Sequence, residues 1–84
     1  MVKLSFKHGG KKYEGEFDFK ALCIVNEKHN DPEIKGPIMT CSDAVDFMFK
    51  DAPLEELSPG KRANLCLECW QAYTEALNDG SKND

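Results

Sequence analysis

Four cysteines are the residues of this sequence with the widest range of possible chemistry, and two of them, Cys66 and Cys69, form a Cys-x-x-Cys pair. Such a pair can bind zinc, exchange with a disulfide, or act as two small apolar residues of a helix. A redox pair normally opens a helix, where the helix N-terminus lowers the thiol pKa. This pair falls more than two turns after Ser58, the predicted start of the last helix, and on the apolar stripe of that helix. The spacing therefore favours two core residues.

The other two cysteines are single residues, Cys23 in a predicted helix and Cys41 in a predicted loop. If both converged on the pair, four thiolates would complete a tetrahedral zinc site. A zinc-stapled structural domain is therefore kept as an alternative, with these weak candidate ligands: Cys23, Cys41, Cys66 and Cys69. We otherwise expect no cofactor.

Neither histidine stands in a pattern that indicates catalysis. His8 lies beside a predicted turn and His29 ends a predicted helix, and no nucleophile or carboxylate is tied to either by its spacing. The glycine pair Gly9-Gly10 is needed for the turn and so does not read as a phosphate-binding loop. The sequence predicts no enzyme.

The charge balance excludes several partner classes. The 84 residues carry a net charge of −4 with a pI near 5.1, which argues against nucleic acid and against an anionic membrane surface. No apolar run approaches the about 18 residues of a membrane span, and no signal-like segment follows Met1. We expect a cytoplasmic protein with reduced thiols.

The first 18 residues predict a β-hairpin. Apolar and polar residues alternate on both sides of Gly9-Gly10, a pair suited to the positive φ angles of a two-residue turn. Centring the turn there predicts that Lys3 faces Glu16 and that Phe6 faces Tyr13. The apolar face of such a hairpin must be covered by another element.

Helices are predicted over the rest of the chain. Asp18 is the expected N-cap of a first helix that is apolar on most sides, residues 30–41 read as a loop, and Ser42 caps a short second helix. Ser58 and Pro59 start a long third helix ending near Asn78, with Gly80 as its stop. We predict a single α+β domain over residues 1–84: a β-hairpin (1–18) packed against about three α-helices (19–79), with a flexible tail (80–84).

An apolar cluster begins in the second helix, continues after it, and exceeds what so small a core needs. We predict that part of it meets a partner protein. The predicted contact residues are Phe47, Phe49, Leu54, Leu57 and Trp70.

The segment "KLSFKHGGKKYEGEFDFKALCIVNE", residues 3–27, joins a strand, a glycine turn, a second strand and an apolar helix without a gap. In this order it resembles the small tail assembly chaperones of long-tailed bacteriophages and their prophages. The resemblance implies a non-enzymatic protein of the bacterial cytoplasm. It would bind the hydrophobic helical tape measure protein, help to recruit tail tube subunits, and associate with copies of itself. Many such chaperones also have a longer form made by ribosomal frameshifting.

A small acidic inhibitor or antitoxin-like binding module is the competing hypothesis. It would need carboxylates aligned on one face to mimic phosphates. Glu14, Glu16 and Asp18 come nearest to that arrangement, and the predicted register sets lysines among them.

Overall fold

A computed structural model describes residues 2–82, with side-chain burial through residue 80. Two strands, β1 (Val2–His8) and β2 (Lys11–Phe17), are followed by three α-helices and one short 3-10 helix. The helices are α1 (Phe19–His29), α2 (Gly36–Met48) and α3 (Pro59–Lys82), and the 3-10 helix spans Leu54–Glu56. The predicted α+β fold, a hairpin followed by three α-helices, is confirmed. Within residues 2–82, no helix is both long and apolar enough to cross a membrane.

The hairpin has the predicted register. Val2 pairs with Phe17, Lys3 with Glu16, and His8 with Lys11 at the turn. Gly9 and Gly10 have φ angles of 59° and 75°, the left-handed region that a type I′ turn requires and that glycine adopts without steric cost.

Two helix starts also agree with the sequence. The Asp18 side chain accepts a hydrogen bond of 2.9 Å from the backbone N–H of Ala21, as an N-cap does. The Ser58 hydroxyl accepts a hydrogen bond of 3.3 Å from the N–H of Lys61, and α3 begins at the residue after Ser58, Pro59.

The start of α2 was predicted wrongly. Residues 36–41 are helical, so Ser42 is an interior residue of α2, and Cys41 is buried in a helix rather than placed in a loop. Gly36 has a φ angle of 82°, and Pro37 occupies the first turn. The N–H groups in the first turn of a helix have no partner within the helix, so proline, which lacks an N–H, is tolerated there. A Gly-Pro pair can therefore begin a helix as well as interrupt one.

The end of α3 also differs from the prediction. The helix continues through Gly80 to Lys82, so Gly80 does not stop it. Residues 83–84 of the predicted flexible tail lie outside the described residues.

The three helices cover one face of the hairpin, and α2 lies between the other two. Lys20 lies over the Phe47 ring, and Lys28 Nζ lies 3.1 Å from Asp43 Oδ2, so α1 is antiparallel to α2. Arg62, early in α3, pairs with Asp46 at 3.2 Å, whereas Cys69, later in α3, contacts Cys41, earlier in α2, so α3 is antiparallel to α2. The core contains residues of all these elements: Leu4, Phe17, Ala21, Val25, Cys41, Ala44, Val45, Phe49, Leu54, Leu57, Leu65, Cys66, Cys69, Ala72 and Tyr73.

Candidate protein-binding surface

Three of the four cysteines lie in the interface between α2 and α3. Cys41 and Cys69 are fully buried and joined by a side-chain hydrogen bond, and Cys66 lies one turn from Cys69. The hydrogen bond to Cys41 and then burial raise the pKa of Cys69, while burial is the main cause that raises the pKa of Cys66. The Cys66 and Cys69 thiols therefore stay protonated and pack as small apolar groups.

Cys23 does not join the other three. It is exposed on α1, so the four thiols do not converge as a tetrahedral zinc site would require. Across residues 2–82, no group of three or more cysteine, histidine or acidic side chains is arranged to hold a metal ion.

The two histidines occupy different surroundings. His8 Nε2 donates a hydrogen bond of 2.9 Å to Glu56 Oε1, which joins the hairpin turn to the 3-10 helix. The spacing of 48 residues between them gave the sequence no signal for this pair. His29, at the end of α1, meets the Trp70 ring edge-on, with ring centroids 5.2 Å apart.

The acidic strand face carries mixed charge. Glu16 is paired across the hairpin with Lys3, and Lys12 Nζ lies 3.8 Å from Glu14 Oε2. Asp18 is engaged as the α1 N-cap. Carboxylates arranged in this way do not form the uninterrupted row that mimicry of a phosphate backbone needs.

The five predicted contact residues are not brought together on the surface. Phe49, Leu54 and Leu57 are only 2%, 7% and 7% exposed, so the expectation that they form a free apolar surface is wrong. Phe47 and Trp70 are half-buried and pack against the core.

The reason for this burial is a close contact between the hairpin and the end of α2. Phe49 packs on Phe6 with ring centroids 5.2 Å apart, and its ring approaches the backbone of Gly15. Leu54, the first residue of the 3-10 helix, and Leu57, directly after that helix, are buried in the same core. The core therefore absorbs the cluster that the sequence indicated was in surplus.

The exposed apolar surface lies elsewhere. Phe19, the first residue of α1, is 79% exposed, and Cys23 one turn later is also exposed. Although the sequence of α1 is apolar on most sides, this side of the helix is therefore not covered. Among the described residues, the other large exposed apolar side chains are Val2, Ile38, Met39, Leu67 and Leu77.

An aromatic cluster joins the end of α1 to the middle of α3. The Tyr73 hydroxyl donates a hydrogen bond of 2.9 Å to Asn26 Oδ1, and the Trp70 and Tyr73 rings lie 5.4 Å apart. Beside Trp70 a cavity of about 300 Å³ opens between this cluster and the start of α2. It is lined by His29, Ile34, Lys35, Gly36, Pro37, Thr40 and Trp70.

Comparison with known proteins found no matching family model, no matching curated protein and no matching solved structure.

Proposed function

We propose that this chain is a non-enzymatic tail assembly chaperone of a long-tailed bacteriophage or prophage, which works in the bacterial cytoplasm. It binds the hydrophobic helical stretches of the tape measure protein, keeps them soluble, and helps tail tube subunits to assemble around them. Support comes from the segment on which the resemblance rests. Residues 3–27 fold as one continuous unit of strand, turn, strand and helix.

The exposure of Phe19 is the observation that carries the proposal. This side chain is 79% exposed at the start of α1, although full burial of a phenylalanine contributes about 1.5–3 kcal/mol. A single exposed apolar residue is common on proteins. Here, however, it lies in the segment that carries the resemblance, with the exposed Cys23 one helical turn away and the half-buried Leu22 beside it.

This side of α1 suits an amphipathic helix as its partner. Phe19 and Cys23 differ by four positions, so they lie on one face of α1 and can meet apolar residues that recur every three or four positions in a partner helix. These residues replace Phe49, Leu54 and Leu57, which the core retains, as the proposed contacts.

The net charge of −4 fits the same role. A chaperone that covers an apolar helix must keep the complex dissolved, and a net charge away from zero opposes aggregation. We expect binding through Phe19 to persist at high salt because apolar contacts are not screened by ions. An acidic inhibitor would instead lose its partner under those conditions.

Co-expression with the tape measure protein encoded at the same locus tests the proposal. We expect the tape measure protein to be soluble with the wild-type chain and to precipitate with Phe19→Ser. The matched control is Met39→Ser, which removes a side chain that is 58% exposed from α2 and should preserve solubility. Failure of the wild-type chain to dissolve or bind the tape measure protein would overturn the proposal.

The intact masses of the products of the natural locus provide an independent test. A second, longer product sharing the N-terminal sequence "MVKLSFKHGG" would support the frameshifted form that the resemblance implies. A single product leaves the binding experiment as the decisive one, because only many, not all, such chaperones have the longer form.

A further inference from the structure

The helix α3 carries an apolar stripe with the spacing of a coiled coil. Its residues follow one another at intervals of four, three, four and three positions, which is the alternation of the a and d positions of a heptad. We call these residues the α3 stripe: Ala63, Leu67, Trp70, Thr74 and Leu77. The core face of the same helix is formed by other residues, among them Cys66, Cys69 and Tyr73.

The α3 stripe is incompletely covered in the single chain. Leu67 and Leu77 are 44% and 47% exposed, and the three residues between or before them are half-buried. Only Trp70 has an aromatic neighbour from another helix, the His29 ring. A stripe of this spacing is the narrow seam by which two helices associate.

One margin of the α3 stripe carries no charged residue. Along one side, at the e positions of the heptad, stand three exposed amide residues, Asn64, Gln71 and Asn78. The exposed Glu68 and Glu75 lie at b positions, one row farther from the seam than the amides, and Glu75 Oε1 accepts a hydrogen bond of 3.4 Å from Gln71 Nε2. Two copies of this acidic chain can therefore meet along the stripe without setting these like charges against each other.

We propose that the α3 stripe is the docking surface for a second copy of this chain, with the two α3 helices antiparallel about a two-fold axis near Gln71. In antiparallel pairs, an a residue of one helix packs against a d residue of the other. The pairing centred here sets Leu67 against Leu77 of the second copy and Trp70 against Thr74 of the second copy. The largest side chain of the stripe thus meets a small one, as close packing requires.

In the same arrangement, the amide side chains at the e positions of the two copies also match each other. The e positions of antiparallel helices face each other, which places Gln71 beside Gln71 of the second copy and Asn64 near Asn78 of the second copy. Each amide both donates and accepts hydrogen bonds, so identical residues can pair. Thr74 can be buried without losing a partner, because its hydroxyl already donates to the Gln71 carbonyl at 3.0 Å.

The proposed function includes self-association, and the pairing provides a surface for it. Only the biological purpose of the pairing rests on the proposed function. The α3 stripe is separate in sequence from Phe19 on α1, the proposed contact of the tape measure protein. The purified chain alone is enough to test the pairing, so its failure can be told apart from failure of the chaperone proposal.

Sedimentation equilibrium of the purified chain measures the pairing. We expect a monomer–dimer equilibrium for the wild type and at least a tenfold larger dissociation constant for Leu67→Glu, which would place a carboxylate against Leu77 of the second copy. Met39→Glu, a change of the same kind on exposed α2 surface, should leave the constant unchanged. Circular dichroism must show both variants folded. A monomeric wild type, or equal constants for the two variants, would overturn the proposal.

Cysteine cross-linking tests the antiparallel orientation. In a Cys23→Ser background, mild oxidation of Gln71→Cys should give a disulfide-linked dimer because the two new thiols lie beside the axis. Glu68→Cys, one row farther from the seam, should remain monomeric. Asn64→Cys should cross-link only when mixed with Asn78→Cys. Efficient cross-linking of Asn64→Cys to itself would indicate parallel helices and overturn the two-fold arrangement.

Discussion

Phe49 lies so close to Gly15 that a Cβ atom at position 15 would stand 3.0 Å from the Cζ atom of the Phe49 ring. The same added atom would stand 3.0 Å from both the Cβ and the carbonyl oxygen of Met48. Gly15 is buried in β2 opposite Leu4. Its missing side chain lets the end of α2 approach the hairpin, which places Phe49 in the core and leaves it out of reach of a partner.

Gly15→Ala should therefore destabilise the fold. We expect the free energy of unfolding to fall by about 1–3 kcal/mol, because the backbone at Met48 must shift to admit the methyl group. Urea unfolding followed by circular dichroism measures this. The control is Gly60→Ala in the first turn of α3, where an added Cβ has no neighbour within 4 Å and should be neutral or slightly stabilising. A loss at Gly15→Ala no larger than that of the control would contradict the close contact.

The hydrogen bond between Tyr73 and Asn26 should contribute measurably to stability. Tyr73→Phe removes the 2.9 Å bond that joins α3 to α1, and we expect a loss of about 0.5–1.5 kcal/mol in the free energy of unfolding. Tyr13→Phe, at a ring that stacks on Phe6, is the control for removing a phenol hydroxyl and should cost less. Equal losses at the two positions would show that the Asn26 contact adds nothing.

The four thiols should react at two distinct rates. Cys23 is exposed, whereas Cys41, Cys66 and Cys69 are buried between α2 and α3, and thiol reagents need both access and thiolate. With an aromatic disulfide reagent at neutral pH, we expect one thiol to react quickly and three only when the chain unfolds. Cys23→Ser should abolish the fast phase. Fast reaction of a second thiol in that variant would contradict the described packing.

The stability of the fold should decrease above about pH 9. Burial first, and then the charge of Cys41, raise the pKa of Cys66 above its ordinary value of 9.0. The folded chain therefore keeps this proton at a pH where the unfolded chain releases it. The contribution is fully present below pH 9 and is lost as the pH rises towards the folded pKa, by up to about 1.4 kcal/mol per pH unit for one group.

Urea unfolding at a series of pH values checks this dependence. Cys66→Ala should make the decline above pH 9 less steep, while Cys23→Ala should leave its slope unchanged. Cys66 is the informative position because Cys41 and Cys69 act in opposite directions: their hydrogen bond lowers the pKa of Cys41 and raises that of Cys69. An unchanged slope in Cys66→Ala would show that this thiol does not titrate differently in the two states.

The sequence by itself determined the features whose causes lie within a few residues. Alternation around Gly9-Gly10 defined the hairpin and its register, because a one-residue slip would turn every apolar side chain to the other face. Asp18 and Ser58 marked two helix starts, because an N-cap bonds to an N–H only two or three residues ahead. Gly36-Pro37 was misread because the same local pattern can end a loop or open a helix.

The tertiary structure decided which apolar residues are buried and which remain for partners. Phe49 is in the core because Gly15, far away in sequence, leaves room for it, whereas Phe19 is exposed because no described element covers its side of α1. Hydrophobicity alone does not distinguish the two phenylalanines, because the hydrophobic effect is not directional. It favours the burial of either ring, and the packing of the helices and strands determines which ring is buried.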